Sequence, residues 1–281
     1  MKVLVTGAGG MVGRALREFC EASGDPVFAY DRAALDIANA DAVREAVHCD
    51  KPDAVINCAA WTDVDGCESD VERALAVNAR GPENLAVASR EANAAYVTIS
   101  TDYVFDGTKD GFYTQEDQPN PQSVYGRAKL EGEQRAQEAN KASIVVRTGF
   151  IFGRGGKNFL SKVIELARRD QQIKAITDAY GTPTYARDLV RRLWELAQLN
   201  HAGIFHVVNS GDGASYAEFA REAIRIADLG ERQVEEVLSE TLNRPAPRPQ
   251  NSRLRCLYSE KLGLSPLPDW RAALRRFAKE T

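Results

Sequence analysis

Tyr125-Gly-Arg-Ala-Lys129 sets a phenol and an ammonium four residues apart, just after the proline-broken stretch 117–123. The residues that follow, through about 139, have helical character, and on a helix positions four apart share one face. A positive charge beside a phenol favours its ionised form. It lowers a pKa that is ordinarily about 10 and prepares the group for proton transfer near neutrality. An ordinary solvated helix pair has the same spacing. The elements around the pair must decide between the two.

The chain opens with Lys2-Val-Leu-Val-Thr6, a β-rich run that enters Gly7-Ala-Gly-Gly-Met-Val-Gly13 and then a helical segment over 14–20. Strand, glycine turn and helix follow in the order of a dinucleotide-binding βαβ unit. Gly7 permits the tight turn, Gly10 lets the backbone approach a pyrophosphate, and Gly13 lets the helix pack close on the strand. The helix N-terminus then offers free N–H groups and partial positive charge to phosphates. The spacing is G-x-x-G-x-x-G, blurred by Gly9. A second strand-like run over 26–30 ends at Asp31, 18 residues after Gly13. An acid there takes ribose hydroxyls. Arg32 beside it is equally placed for a 2′-phosphate, so NADH and NADPH both remain open.

Strand-like and helical segments then alternate: helix over 40–49, strand over 53–57, helix over 71–78 and 82–92, strand over 95–100, the Tyr125 helix, and strand over 144–147. Asn57-Cys-Ala-Ala60 follows one strand, and small residues there suit either a ligand lying close to the backbone or a loop packed on a helix. The alternation predicts an α/β fold, a Rossmann-type doubly wound parallel sheet. Near residue 150 the rhythm changes. A smaller C-terminal α+β lobe is expected to lie against the first unit, giving a nucleotide domain over 1–150 and a mainly substrate-binding lobe over 151–281, with interleaving allowed. The proline-rich 243–249 reads as a loop over a site.

Bulk properties exclude several classes. With 281 residues, 44% hydrophobic, 27% charged and a net charge of −4, the chain offers no electrostatic case for nucleic acid or anionic membrane. No apolar run approaches a membrane span and no signal peptide is read, so a cytoplasmic protein is expected. The five cysteines (Cys20, Cys49, Cys58, Cys67, Cys256) form no C-x-x-C pair and no cluster with His48, His201 or His206. Reduced thiols and no bound metal are expected.

Taken together, the glycine turn, Asn57-Cys-Ala-Ala60, Ser100-Thr101 and Tyr125-x-x-x-Lys129 resemble an extended short-chain dehydrogenase/reductase. Within it, Ser-Thr-Asp-Tyr-Val-Phe at 100–105, Val-Tyr-Gly-Arg-Ala-Lys-Leu-Glu-Gly-Glu at 124–133, Asp-Ala-Tyr-Gly-Thr-Pro-Thr at 178–184 and Arg-Pro-Gln-Asn-Ser-Arg-Leu at 248–254 are similar to the dTDP-4-dehydrorhamnose reductases. The resemblance spans essentially the whole chain. It implies hydride transfer from NADPH or NADH to the C4 keto carbon of a dTDP-sugar. Tyr125 would donate the proton, Thr101 would hydrogen-bond the developing alkoxide, and Lys129 would bind the nicotinamide ribose and depress the Tyr125 pKa.

On the cofactor the resemblance places Gly7, Gly10, Met11, Val12 and Gly13, then Asp31, Arg32, Asp36 and Ile37. Ala59, Ala60, Thr62 and Ser100 complete that set with Tyr125 and Lys129. On the sugar nucleotide it places Val64, Thr101, Asp102, Tyr103, Tyr125, Phe150 and Asn158. Arg248 and Asn251 fall at the diphosphate, where a planar guanidinium matches phosphate oxygens. Related dehydratases carry Asp-Glu after the threonine; here Asp102 precedes Tyr103, which argues for simple carbonyl reduction. Phe150 stands where reductases of this family often carry Trp. Ala15 stands where some carry a Glu in a magnesium-linked dimer contact. A monomer or homodimer without that metal bridge is expected. Two further readings stay open: a cofactor-binding regulatory subunit resembling the β subunit of methionine adenosyltransferase, and a sugar-nucleotide epimerase that recycles bound NAD.

Overall fold

The protein is described by a computed structural model covering residues 1–199, 201–230 and 232–280. Its first half lays down β1 (Val3–Thr6), α1 (Met11–Ala22), β2 (Val27–Tyr30), α2 (Ala40–Asp50) and β3 (Ala54–Asn57). Next come α3 (Val64–Ser69), α4 (Val71–Leu75), a π-helical turn (Ala76–Arg80), α5 (Gly81–Glu91), β4 (Ala95–Thr101), α6 (Val124–Ala139) and β5 (Ile144–Thr148). The strands β1, β3 and β5 are buried on both faces. Near-continuous Val/Ile/Leu runs of this kind are what a parallel sheet covered on both sides requires.

The second half supplies β6 (Ile151–Phe152), α7 (Phe159–Arg168), β7 (Ile173–Ile176), β8 (Tyr180–Gly181), β9 (Thr184–Tyr185) and α8 (Ala186–Ala197). It ends with β10 (Gly203–His206), β11 (Ala214–Ser215), α9 (Tyr216–Ile226), β12 (Val234–Val237) and α10 (Trp270–Ala278). The main sheet has the order β10-β5-β4-β3-β1-β2, and every pair in it is parallel. Leu16 and Cys20 of α1 and Leu189, Leu193 and Leu196 of α8 cover one face. Val43, Val47, Leu85, Ala86 and Ala136 from α2, α5 and α6 cover the other. The chain steps from β1 outward to β2 and then returns to β3 on the opposite side. That reversal opens a crevice at the carboxyl ends of the strands, where doubly wound sheets bind ligands.

A second core gathers Phe152, Leu160, Ile164, Phe219, Trp270 and Phe277 between α7, α9 and α10. Short ladders β7–β12, β6–β9 and β8–β11 edge it. Although β10 and α8 lie beyond residue 150, they complete the main sheet and its covering layer.

Local chemistry accounts for the differences from the sequence expectation. The helix that carries Tyr125 begins one residue early, at Val124, because Ser123 caps it and its hydroxyl accepts the Gly126 N–H at 3.1 Å. The two helices expected over 71–78 and 82–92 join through the π turn, with Pro82 tolerated in the first turn of α5. The short α3, capped by Asp63, and the Val-Glu-Glu-Val strand β12 were not expected. Neither is long or patterned enough to announce itself. No helix among the described residues is long and apolar enough to cross a membrane. Among those residues, no group of three or more His, Cys, Asp or Glu side chains is placed to hold a metal ion.

Candidate active site

The dinucleotide end is built from main chain. Gly7 turns with φ +68°, and a Cβ there would lie 2.6 Å from the Ala59 nitrogen. A Cβ on Gly13 would strike the Gly7 carbonyl, so α1 can sit on β1 only with glycine at both places. Gly10 is the N-cap of α1 and supplies no capping side chain, which leaves the first-turn N–H groups available to an anion. A cleft of about 390 Å³ opens here, lined by Gly7, Gly10, Asp31, Arg32, Asp36, Ile37, Ala59 and Ala60 among others. A cradle that any Cβ would fill, at a helix N-terminus and beside an acid, fits a nicotinamide dinucleotide.

Met11 and Val12 start α1 beside this cleft, and the Met11 sulfur meets the Ser161 hydroxyl at 3.5 Å. One oxygen of Asp31 accepts the Ala33 and Ala34 N–H groups, and one of Asp36 accepts that of Ala38. These acids therefore also hold their own loop. Thr62 is exposed and does not line the cleft. In its place stand Trp61 and Arg73, with the guanidinium 4.2 Å from the indole centre. Nothing in the sequence marked Arg73, because it reaches the cleft from the short helix α4.

The chemistry-bearing residues meet where β4 ends against α6. Thr101 and Tyr125 are both buried, and the threonine hydroxyl stands near enough to the phenol to act on its pKa. The Thr101 oxygen also accepts the Tyr103 N–H at 3.2 Å and donates to Asp102 at 3.1 Å. Burial raises the Tyr125 pKa, with Thr101 pulling the other way. Lys129 is 3% exposed, donates to the Ile99 carbonyl at 2.6 Å, and is lowered to about 8 by burial against the opposing pull of Glu133. This corrects one expectation. Burial, not the neighbouring ammonium, dominates the phenol, and the ammonium's hydrogen bond goes to a backbone carbonyl.

Ser100, expected at the cofactor, turns its hydroxyl to the scaffold. Its hydroxyl donates to Glu133, which pairs with Arg147 at 2.7 Å, and this buried network ties β4, β5 and α6 together. Glu133 lies in the motif that surrounds Lys129, but its structural partner could not be read from spacing.

Across the crevice, Tyr103, Phe150, Tyr216, Arg248 and Ser252 line a second cavity of about 360 Å³. Phe150 adopts φ +48° and lays its ring 4.5 Å from that of Tyr216. Arg248 grips Asp65 through both guanidinium nitrogens, at 2.9 and 2.8 Å, and holds that carboxyl below its usual range. Val64 packs with Tyr103 and Tyr125 at the head of α3. Asp102 is buried beside Thr101, and burial pushes its carboxyl up to about 6.

Two residues expected on the substrate serve the scaffold. The Asn251 amide donates to the Lys109 and Gly111 carbonyls and accepts from Arg253, so it clips two loops together. The Asn158 side chain caps α7 by accepting the Ser161 N–H, and it donates to the Ile151 carbonyl.

A parallel sheet with a glycine turn under its first helix, and a Thr-Tyr-Lys cluster beside the crevice, defines the extended short-chain dehydrogenase/reductase class. The family model described as the RmlD substrate binding domain matches residues 1–281. A dTDP-4-dehydrorhamnose reductase of Streptomyces griseus is 40% identical over 277 residues, covering 96% of this chain and 91% of that protein. Among solved structures, a dTDP-4-dehydrorhamnose reductase from Clostridium acetobutylicum superposes with a TM-score of 0.94 at 37% identity, over 100% of this chain and 99% of that one. One from Bacillus anthracis, in complex with NADP, gives 0.95 at 34% identity with the same coverage. The chain belongs to the dTDP-4-dehydrorhamnose reductase family.

Proposed function

We propose that this protein reduces the C4 keto group of a dTDP-4-dehydro-6-deoxysugar, converting dTDP-4-dehydrorhamnose to dTDP-L-rhamnose at the expense of NADPH or NADH. The observation that carries the reading is the buried Thr101–Tyr125 pair, set between a dinucleotide cleft and an aromatic cavity bearing Arg248. A nicotinamide dinucleotide bound over the glycine turn supplies the hydride. Tyr125 gives its proton to the oxygen as it becomes an alkoxide. The high phenol pKa keeps that proton in place until the alkoxide, a stronger base, forms. Thr101 holds the same oxygen. Lys129, poised near pH 8, stands to carry positive charge beside the ribose when the cleft is filled.

On the sugar side, Tyr103, Phe150 and Tyr216 give the ring an apolar wall, and the Arg248–Asp65 fork faces the diphosphate. In this reading residues 1–150 mainly bind the dinucleotide and 151–281 mainly the sugar, with β10 and α8 lent back to the first unit. The enzyme works in the cytoplasm, as a monomer or homodimer. Asp102 is followed by Tyr103 instead of a second carboxylate, which supports reduction over dehydration. The test is dinucleotide oxidation with a panel of dTDP- and UDP-4-keto-6-deoxysugars, NADPH and NADH in parallel. Turnover with the dTDP compounds supports the reading. No oxidation with any of them, from protein that binds the dinucleotide, overturns it in favour of a regulatory subunit.

A further inference from the structure

Asp102 is enclosed more deeply than a carboxylate that merely faces a sugar. Its side chain is 3% exposed, and Oδ1 accepts the Thr101 hydroxyl proton at 3.1 Å. Oδ2 has no hydrogen-bond partner among the described residues. The carboxyl lies against Gly149, where any Cβ would collide with it. Phenols face it from three elements: Tyr103 just past β4, Tyr125 on α6 and Tyr216 on α9, each raised chiefly by burial and further by its negative charge. The cations of this cavity are Arg244 and Arg248, and Arg248 is committed to Asp65. The nearby Ser252 hydroxyl softens the carboxyl's shift, but its own hydrogen bond goes to the Tyr180 carbonyl at 3.3 Å.

We propose that Asp102 is a positioning residue that sets which way the Thr101 hydroxyl donates, and so whether Thr101 can give its proton to the oxygen beside Tyr125. This rests on the reductase reading above. A hydroxyl has one proton. An ionised carboxylate can only accept, so it draws the Thr101 proton to Oδ1 and leaves the reacting oxygen facing lone pairs. Once protonated, the carboxyl donates to the Thr101 oxygen, and the threonine proton turns toward the alkoxide. No atom changes owner; only the direction of the hydrogen bond reverses. Burial brings the carboxyl to about 6, and a bound sugar that excludes water moves it further upward. The sign is therefore fixed: Thr101 donation is present at low pH and is lost as pH rises through the Asp102 pKa.

The test is single-turnover hydride transfer from NADPH to a dTDP-4-keto-6-deoxysugar, followed from about pH 5 to about pH 8. The native enzyme should slow on the order of tenfold or more across that range, the loss expected for one misdirected oxyanion donor. Asp102→Asn, isosteric and unable to ionise, should remove the step, and Thr101→Val should remove it too. Infrared spectra of the native protein should show a protonated carboxyl band that appears as pH falls and is missing from Asp102→Asn. A pH step unchanged in Asp102→Asn, or no such carboxyl band, overturns the role of Asp102 alone. No hydride transfer at any pH, with the band titrating normally, overturns the reductase reading and this role together.

Discussion

The dinucleotide cleft and the sugar-side cavity face each other across one crevice, but they are made of different material. The first is main chain and small residues brought together by neighbours in sequence: Gly7, Gly10 and Gly13 in one turn, with Ala59 and Ala60 against it. The second is side chain. Phe150 meets Tyr216, and Arg248 meets Asp65, over long sequence separations. Backbone geometry tolerates almost no substitution, whereas a wall of rings and a fork of charge can be rebuilt. The dinucleotide half is therefore the fixed part of the site and the sugar half the adjustable part. Between them, Thr101 and Tyr125 belong to neither.

That division can be broken first at the middle. Tyr125→Phe removes the proton donor and touches neither wall, so turnover should fall on the order of a hundred- to ten-thousand-fold. Dinucleotide and dTDP-sugar binding, followed by calorimetry, should stay within a few-fold. Retained turnover would take Tyr125 out of the chemistry.

What could be read from the sequence follows the same division. Thr101 came only with the family resemblance, whereas the glycine turn, the alternating elements and the Tyr125–Lys129 pair were legible because each is local or obeys a spacing. The Ser100–Glu133–Arg147 network, the Arg73–Trp61 stack and the Arg248–Asp65 fork were not, since a partner's identity comes only with the fold. The backbone partners of Asn158 and Asn251 were hidden for a related reason. A polar side chain beside a motif is as ready to satisfy backbone groups as to meet a ligand, and buried backbone groups must be satisfied. The phenol pKa was misjudged because the sequence gives the neighbour's charge but not the burial that outweighs it.

Substitutions on the two walls should separate. Gly13→Ala drives a methyl into the Gly7 carbonyl and lifts α1 from β1. Overpacking of this kind costs about 1–3 kcal/mol, seen as a lower Tm. Dinucleotide affinity should fall further than sugar affinity, because the helix N-terminus moves. Arg248→Met should do the reverse. Loss of the fork removes the guanidinium from the cavity and from Asp65, and KM for the dTDP-sugar should rise on the order of ten- to a hundredfold. Dinucleotide binding and Tm should hardly change, since Asp65 is partly solvated. Equal effects of both variants on both ligands would dissolve the distinction between the walls.

The smallest effect bears on the middle again, through Lys129. Its ammonium is buried, and its pKa is lowered to about 8 from an ordinary value near 10.5. Below pH 8 it is protonated in both the folded and the unfolded chain, and the folded state carries the full cost of enclosing the charge. Between about 8 and 10.5 this site binds its proton more fully in the unfolded chain than in the folded one, so Lys129 adds stability as pH rises, while the thiols Cys20, Cys58 and Cys67, raised by burial, act in the opposite direction. Over the first unit and a half of that window the Lys129 contribution should be about 1–2 kcal/mol, read by urea unfolding as the difference between the native chain and Lys129→Met, in which the thiol contributions cancel. Lys129→Met should lack this contribution and be more stable than the native chain near neutrality, while hydride transfer is lost. Such a result would mark Lys129 as a group kept for chemistry at the expense of the fold. An identical pH slope in both proteins would mean that the ammonium reaches water in solution, and the middle of the site would then be more open than its burial indicates.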